Sequence, residues 1–192
     1  MRGEREHQAM WRRASFWTGV AAGVGLAAMA FELPYINWQS SAAPIDIAPL
    51  VVRQDAKGDG RFGSPRSGGR RHRGVDLTAP FGSPVRAIRS GSVAQVGTHR
   101  GLGRFVVLDH RGDLTSLYAH LATIGVDAGQ RVTQGQVIGT VGKTGNARHR
   151  WITPHVHLEI TRHGEPIDPA TLGLQTVVRS TQEQQTDGRG GE

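Results

Sequence analysis

A chain of 192 residues accommodates one domain with a hydrophobic core plus tails, and is short for two domains of comparable size. It contains no cysteine, which excludes disulfides and thiolate metal sites and leaves histidine and carboxylate as the metal donors. The formal charge of +7 comes almost wholly from arginine, Lys57 and Lys143 being the only lysines, and it fits polyanionic partners (nucleic acid, anionic lipid, acidic wall polymer) without choosing among them; 27 glycines against five phenylalanines and two tyrosines point away from a helical bundle and toward short strands and turns.

Residues 1–13 are basic, with Arg2, Arg5, Arg12 and Arg13, and read as a cytoplasmic N-terminus. Residues 14–31 follow as an 18-residue run without a charge, closed by Glu32. That length lies at the lower edge of what crosses a hydrocarbon core of about 30 Å, so a membrane helix anchoring the chain in the inner membrane is predicted, with the remainder exported. The competing reading is a cleaved signal peptide, with residues 16–28 as its apolar region and Ala28-Met29-Ala30 as the small-residue cleavage site. Both place the domain in the cell envelope, on the periplasmic side of the membrane or exported. Three further patterns here carry little. Gly23-Val24-Gly25-Leu26-Ala27-Ala28 matches part of a dinucleotide fingerprint but lacks the βαβ setting. Gly19 and Gly23 have a helix-dimer spacing that Ala- and Gly-rich segments produce by chance. Arg12-Arg13 fits a twin-arginine signal only loosely.

Residues 32–57, with Pro34, Pro44 and Pro49 and no sustained periodicity, read as a linker that lies along the domain. The domain itself spans 58–178. Within it, β-type runs at 84–96, 104–109, 114–121, 130–141 and 155–162 are separated by glycine punctuation, and Arg111-Gly112-Asp113 reads as the turn of a hairpin. No stretch between Gly60 and Gly164 has a helical period of adequate length, so an all-β, mainly antiparallel domain is predicted. Residues 179–192 are almost devoid of apolar side chains and read as a disordered tail.

The chemistry lies in four histidines and one aspartate. His72-Arg73-Gly74-Val75-Asp76 pairs an imidazole with a carboxylate across a glycine that lets the backbone bend. His155-Val156-His157 sits in an apolar run, P-H-V-H-L-E-I, and alternate residues on a strand share a face, so both imidazoles project into one space about 6–7 Å apart at their Cα atoms. Tyr118-Ala119-His120 has the same alternation and supplies a further imidazole. Two histidines and one aspartate suit zinc, leaving a fourth position for water whose pKa falls toward about 7. Each motif alone is as compatible with a loop pair or a packed strand, and spacing alone also allows His155 and His157 to share one ion. His7, His99, His110, His149 and His163 are set aside.

Together these motifs carry a resemblance. R-F-G, H-R-G-V-D-L-T-A-P-F-G-S-P-V-R-A, G-S-V, Y-A-H-L, G-Q-V-I-G-T-V-G-K-T-G and P-H-V-H-L-E-I run from Gly60 to Pro169 in the order found in the lysostaphin and LytM-like zinc peptidases, which this chain resembles over more than half its length. The resemblance implies one zinc per chain on His72, Asp76 and His157, and His120 and His155 as the catalytic histidines. It also implies an antiparallel β-sandwich of the duplicated-hybrid-motif type with the groove on one sheet, and peptidoglycan cross-links or stem peptides as substrate. His155, with His120 beside it, would take the proton of water, stabilise the oxyanion and return a proton to the leaving amine.

The chain departs from that pattern between Gly145 and Pro154, where the eight residues N-A-R-H-R-W-I-T replace a shorter connection. A loop entering the H-x-H strand is placed to line the groove, which makes Arg148, Arg150 and Trp151 candidate substrate contacts; packing of Trp151 onto the domain is the other reading. Of Arg61, Arg66, Arg70, Arg71 and Arg73, Arg66 is the candidate for a substrate carboxylate or developing charge, and the rest read as a solvated loop. A calcium loop at 55–60 fails because Lys57 stands at a ligand position. Three functions compete: a wall endopeptidase, a non-catalytic regulator that binds the wall or activates other wall hydrolases, and an envelope assembly or secretion factor, anchored and within reach of assembly or division partners, whose peptidase activity opens the wall locally. A nucleic-acid binder is disfavoured, since stacking aromatics are lacking.

Overall fold

The computed structural model describes residues 33–37 and 39–178. The predicted cytoplasmic segment, membrane helix and C-terminal tail lie outside them. Among the described residues no helix is long and apolar enough to cross a membrane. Leu33–Tyr35 is a single 3-10 turn, and every strand belongs to the unit that begins at Asn37.

The predicted strand-rich character is observed. In chain order the strands are β1 (Leu50–Val51), β2 (Gln54–Asp55), β3 (Gly58–Asp59), β4 (Gly74–Thr78), β5 (Pro84–Arg86), β6 (Gly91–His99), β7 (Gly103–His110), β8 (Leu114–Leu121), β9 (Thr123–Ile124), β10 (Arg131–Val132), β11 (Val137–Thr140), β12 (His155–Arg162), β13 (Glu165–Ile167) and β14 (Thr176–Val177). A seven-stranded sheet runs β10-β6-β7-β8-β12-β13, with β4 also on β12, and every pair in it is antiparallel. A three-stranded sheet, β5-β11-β9, stands apart from it, and β1 pairs with β14 in parallel. The turn of the β7–β8 hairpin has positive φ at Gly112 (76°) and Asp113 (52°), as a tight reversal requires.

Alternation decides what each strand buries. On β12, Val156, Leu158 and Ile160 are fully buried in the hydrophobic cluster while His155, His157 and Glu159 take the other face. Side chains of both sheets meet in that cluster, including Val85 and Ile138 from the smaller sheet and Val93, Val106, Leu108 and Tyr118 from the larger. Each fully buried aliphatic side chain contributes about 1.5–3 kcal/mol. Ile45, Leu50 and Val52, from the segment read as a linker, belong to the same cluster.

The runs at 84–96 and 130–141 each contain two strands, not one. The first divides into β5 and β6, the second into β10 and β11, and in both cases the two pieces belong to different sheets. Gly135 at φ 81° turns the chain between β10 and β11.

Candidate metal and catalytic site

The site is built on β12 and two of its neighbours, β4 and β8. β4 pairs with β12 in the register that sets Asp76 directly opposite His157, and β8 sets Ala119 opposite His157 on the other side. Gly74 permits the first pairing in a manner different from the predicted bend. It is the opening residue of a regular strand, and a Cβ there would lie 2.3 Å from the Leu158 carbonyl oxygen. Glycine is needed for close approach of two backbones, not for a turn. His72 precedes β4 in a loop folded back on itself, its amide donating to the Ser64 carbonyl at 2.9 Å and its carbonyl accepting from Gly63 at 2.9 Å.

His72, Asp76 and His157 converge, and all three are buried. His72 Nε2 is 3.0 Å from His157 Nδ1 and 3.2 Å from Asp76 Oδ1, and His157 Nδ1 is 2.9 Å from Asp76 Oδ1. Donors of a tetrahedral zinc shell with bonds of about 2.0–2.1 Å are roughly 3.3 Å apart, so the triangle is close to the size required. The outer nitrogens fix what the inner ones offer. His72 Nδ1 lies 2.9 Å from the Arg61 carbonyl, which only accepts, so that nitrogen carries the proton and Nε2 presents a lone pair. His157 Nε2 faces Glu159 Oε2 at 3.9 Å, which favours a proton there and a lone pair on Nδ1. Two imidazole lone pairs and a carboxylate oxygen then surround one point, an arrangement that can hold a metal ion.

Without a metal, a proton serves. Burial alone would lower the His157 pKa, but the hydrogen bond to Asp76 and the Glu159 carboxylate raise it to about 9. Burial works against the Asp76 carboxylate too, yet its bonds to His157 and His72 hold it well below the usual range. The second Asp76 oxygen, Oδ2, accepts from Arg53 Nη2 at 3.0 Å and Arg53 Nε at 3.3 Å, and Arg66 Nη2 is 3.8 Å away.

His120 and His155 stand beside this cluster with rings edge to face, centroids 4.9 Å apart. His155 Nε2 is 4.0 Å from Asp76 Oδ1. Strand alternation does not deliver His120. The β7–β8 register shifts between Arg104↔Leu121 and Val106↔Tyr118, so two residues of β8 oppose one of β7, and His120 has φ 63°. This bulge turns His120 to the groove, whereas strict alternation would send it into the core with Tyr118. His120 Nδ1 donates to the Thr144 carbonyl at 3.0 Å and His155 Nδ1 to the Thr153 carbonyl at 2.6 Å, leaving Nε2 of each as the basic nitrogen. Burial, with His155 and His157 nearby, pushes the His120 pKa down to about 3, and burial also lowers that of His155. Both are neutral at neutral pH.

All five side chains open on a groove of about 810 Å³. Its lining includes Lys57, Arg66, Arg70 and Arg71, from the segments around β3 and before β4, and His99, Leu102, Asn146 and Ile152. Arg66, the candidate for a substrate carboxylate, is thus one of the lining residues. Arg148 and Trp151 are not among the lining residues: Trp151 is 57% exposed with the Arg150 guanidinium 4.0 Å above its ring, and neither packs the loop onto the domain. Sequence reading passed over His99, Glu159, Arg53 and Asp55. Glu159 was accessible by the same alternation that found His155 and His157, whereas nothing local marked Arg53, and Asp55 stood out only as the start of the rejected calcium loop.

A strand-built groove carrying a buried His-Asp-His cluster with two neutral imidazoles beside it defines a metallopeptidase-like scaffold. Residues 70–169 match Peptidase family M23, and the chain belongs to that family. Among curated relatives, it is 39% identical over 107 residues to the DD-carboxypeptidase/endopeptidase Mpg of Neisseria meningitidis, a match covering 56% of this chain and 24% of that one. This chain thus spans about a quarter of that relative's length. Among solved structures it resembles the catalytic domain of the prophage-encoded M23 protein EnpA from Enterococcus faecalis, at 31% identity and TM-score 0.54, over 68% of this chain and 97% of that one. It also resembles a zinc containing peptidase from Vibrio cholerae, at 29% identity and TM-score 0.57, over 76% of this chain and 41% of that one.

Proposed function

We propose that this chain is a zinc-dependent endopeptidase that hydrolyses cross-links or stem peptides of peptidoglycan. The observation that carries the reading is the convergence of the His72 and His157 lone pairs and Asp76 Oδ1 within 3.2 Å of one another, at the floor of an open groove that also holds two neutral imidazoles. In this reading His72, Asp76 and His157 hold one zinc, which supplies polarisation of the scissile carbonyl and of water. His155, through Nε2, takes the proton of the attacking water and passes it to the leaving amine as the C–N bond breaks; neutral His120, its Nδ1 proton held by the Thr144 carbonyl, offers Nε2 as an acceptor that orients that water.

The cationic residues lining the groove fit substrates that bear carboxylates, and among them Arg66 brings Nη2 to 3.8 Å from Asp76 Oδ2. Arg148 and Trp151, exposed at the end of the loop, are proposed to meet a longer stretch of substrate. In this reading the peptidase domain runs to residue 178 and takes in, besides 58–178, the part of 32–57 that carries Ile45, Leu50, Val52, Arg53 and Asp55, and residues 14–31 hold it at the periplasmic face of the inner membrane, where envelope assembly or division partners are within reach.

The test uses the full chain. One zinc per chain is expected by elemental analysis, and peptide fragments are expected by mass spectrometry from isolated sacculi. His157→Ala removes both; His155→Ala keeps the metal and loses turnover. Wild-type protein that holds zinc yet releases no fragment supports the regulator instead. Loss of metal in His155→Ala would reverse the assignment of base and ligand.

A further inference from the structure

Arg53 and Asp55 precede the family match, which begins at residue 70, yet they are tied to the centre of the site. Arg53 is 6% exposed, and its guanidinium is divided between two carboxylates: Nη2 and Nε to Asp76 Oδ2 at 3.0 and 3.3 Å, Nη1 to Asp55 Oδ1 at 2.7 Å. The backbone repeats the connection. The Arg53 amide donates to the Asp76 carbonyl, the Arg53 carbonyl accepts from Gly60, and the Gly60 carbonyl accepts from Asp76, each at 2.8 Å. Gly60 is the spacer that makes this possible, since a Cβ there would stand 2.8 Å from Asp76 Cβ.

Asp55 continues the chain to the other half of the chemistry. Its Oδ2 accepts the Thr153 amide at 3.0 Å, and the Thr153 carbonyl receives the His155 Nδ1 proton at 2.6 Å. Five groups thus lie on one hydrogen-bonded path: Asp76, Arg53, Asp55, Thr153 and His155. A guanidinium buried between two carboxylates is costly to desolvate and is an inefficient way to add stability, because apolar side chains of similar volume do as well. Its planar fork, however, fixes two acceptors at a set separation, which a point charge does not.

We propose that Arg53 and Asp55 form a positioning clamp that sets the Asp76 carboxylate for the cation and the His155 ring for proton transfer, so that metal ligand and base are held at a common spacing. The proposal rests on the hydrolase reading above. Arg53 acts through Asp76, and Asp55 acts through Arg53 and Thr153.

The experiment compares Arg53→Met, Arg53→Lys and Asp55→Asn in the full chain, reading zinc affinity by chelator competition, the visible spectrum of the cobalt(II)-loaded protein, kcat and KM, and folding by circular dichroism. Arg53→Met is expected to weaken zinc binding by about 10- to 100-fold and to shift the cobalt bands, with Arg53→Lys recovering part of both. Asp55→Asn is expected to keep zinc affinity near wild type while kcat falls roughly tenfold at unchanged KM. Arg53→Met that binds zinc as tightly as wild type with unshifted cobalt bands overturns the proposal, as does Asp55→Asn with wild-type kcat. If Arg53→Met does not fold, Arg53→Lys and Asp55→Asn decide by the same criteria. A wild-type chain that binds zinc but cleaves nothing sinks the hydrolase reading, while the zinc and cobalt measurements still decide the Arg53 half.

Discussion

Replacing Gly74 by alanine tests the pairing on which the cluster depends. A Cβ at this position meets the Leu158 carbonyl oxygen at 2.3 Å, the Leu158 carbonyl carbon at 2.8 Å and Glu159 Cα at 2.9 Å. All three are backbone atoms of β12, so no side-chain rotation relieves the contact. The strands must separate by several tenths of an ångström at least, in the stretch where Gly74 faces Glu159 and Asp76 faces His157. Overpacking costs about 1–3 kcal/mol, and contacts this short against backbone place the substitution at the upper end, which lowers Tm by on the order of 10 °C for a domain of this size. Because Asp76 is two residues away on the same strand, zinc affinity should fall together with stability. Urea unfolding of the metal-free chain and chelator competition of the loaded chain measure the two effects. An alanine variant with wild-type Tm and wild-type zinc affinity would refute the close-approach argument and return Gly74 to the flexible role read from sequence.

Turnover should have an acidic limb below the ordinary imidazole range. The His120 pKa lies at about 3 and that of His155 is lowered, both chiefly by burial, so each stays neutral and basic as pH falls through about 6.5. A kcat/KM profile whose acidic limb falls at or above about 6.5 contradicts the burial assigned to these rings. Away from the site, His110 bridges the Ser90 carbonyl at 3.0 Å and the Ser116 hydroxyl at 2.8 Å, and burial pushes its pKa below the ordinary value. A depressed pKa leaves its contribution complete above about 6.5 and removes it as the pH drops, because the unfolded chain binds the proton first. The slope of unfolding free energy against pH just below that value should shrink in His110→Gln by up to about 1.4 kcal/mol per pH unit, and an unchanged slope counts against the assignment.

Much of this geometry was legible where one strand carries its own signal. The predicted runs at 114–121 and 155–162 coincide with β8 and β12, because alternation and flanking turn residues both mark their ends. Convergence of residues 72, 76 and 157 was legible only through the order of several motifs, since register between β4 and β12 leaves no trace in either strand alone. The runs at 84–96 and 130–141 were read as continuous because apolar residues persist where the chain passes between sheets: Ala87 and Ile88, between β5 and β6, are fully buried without being in a strand. His120 was found for a reason the backbone does not obey, since positive φ at a non-glycine residue cannot be read from Y-A-H. Arg53 was hidden in a proline-containing stretch whose buried residues, Ile45, Leu50 and Val52, follow no regular period.

β12 divides its labour by parity. Residues 156, 158 and 160 are sealed in the interior, while 155, 157 and 159 serve the groove, and the two sets touch different surroundings through one length of backbone. Even-numbered substitutions here should be screened by melting and odd-numbered ones by catalysis. A library that varies only odd positions can explore new chemistry on an undisturbed scaffold, until it reaches a side chain whose bulk forces the neighbouring strands apart.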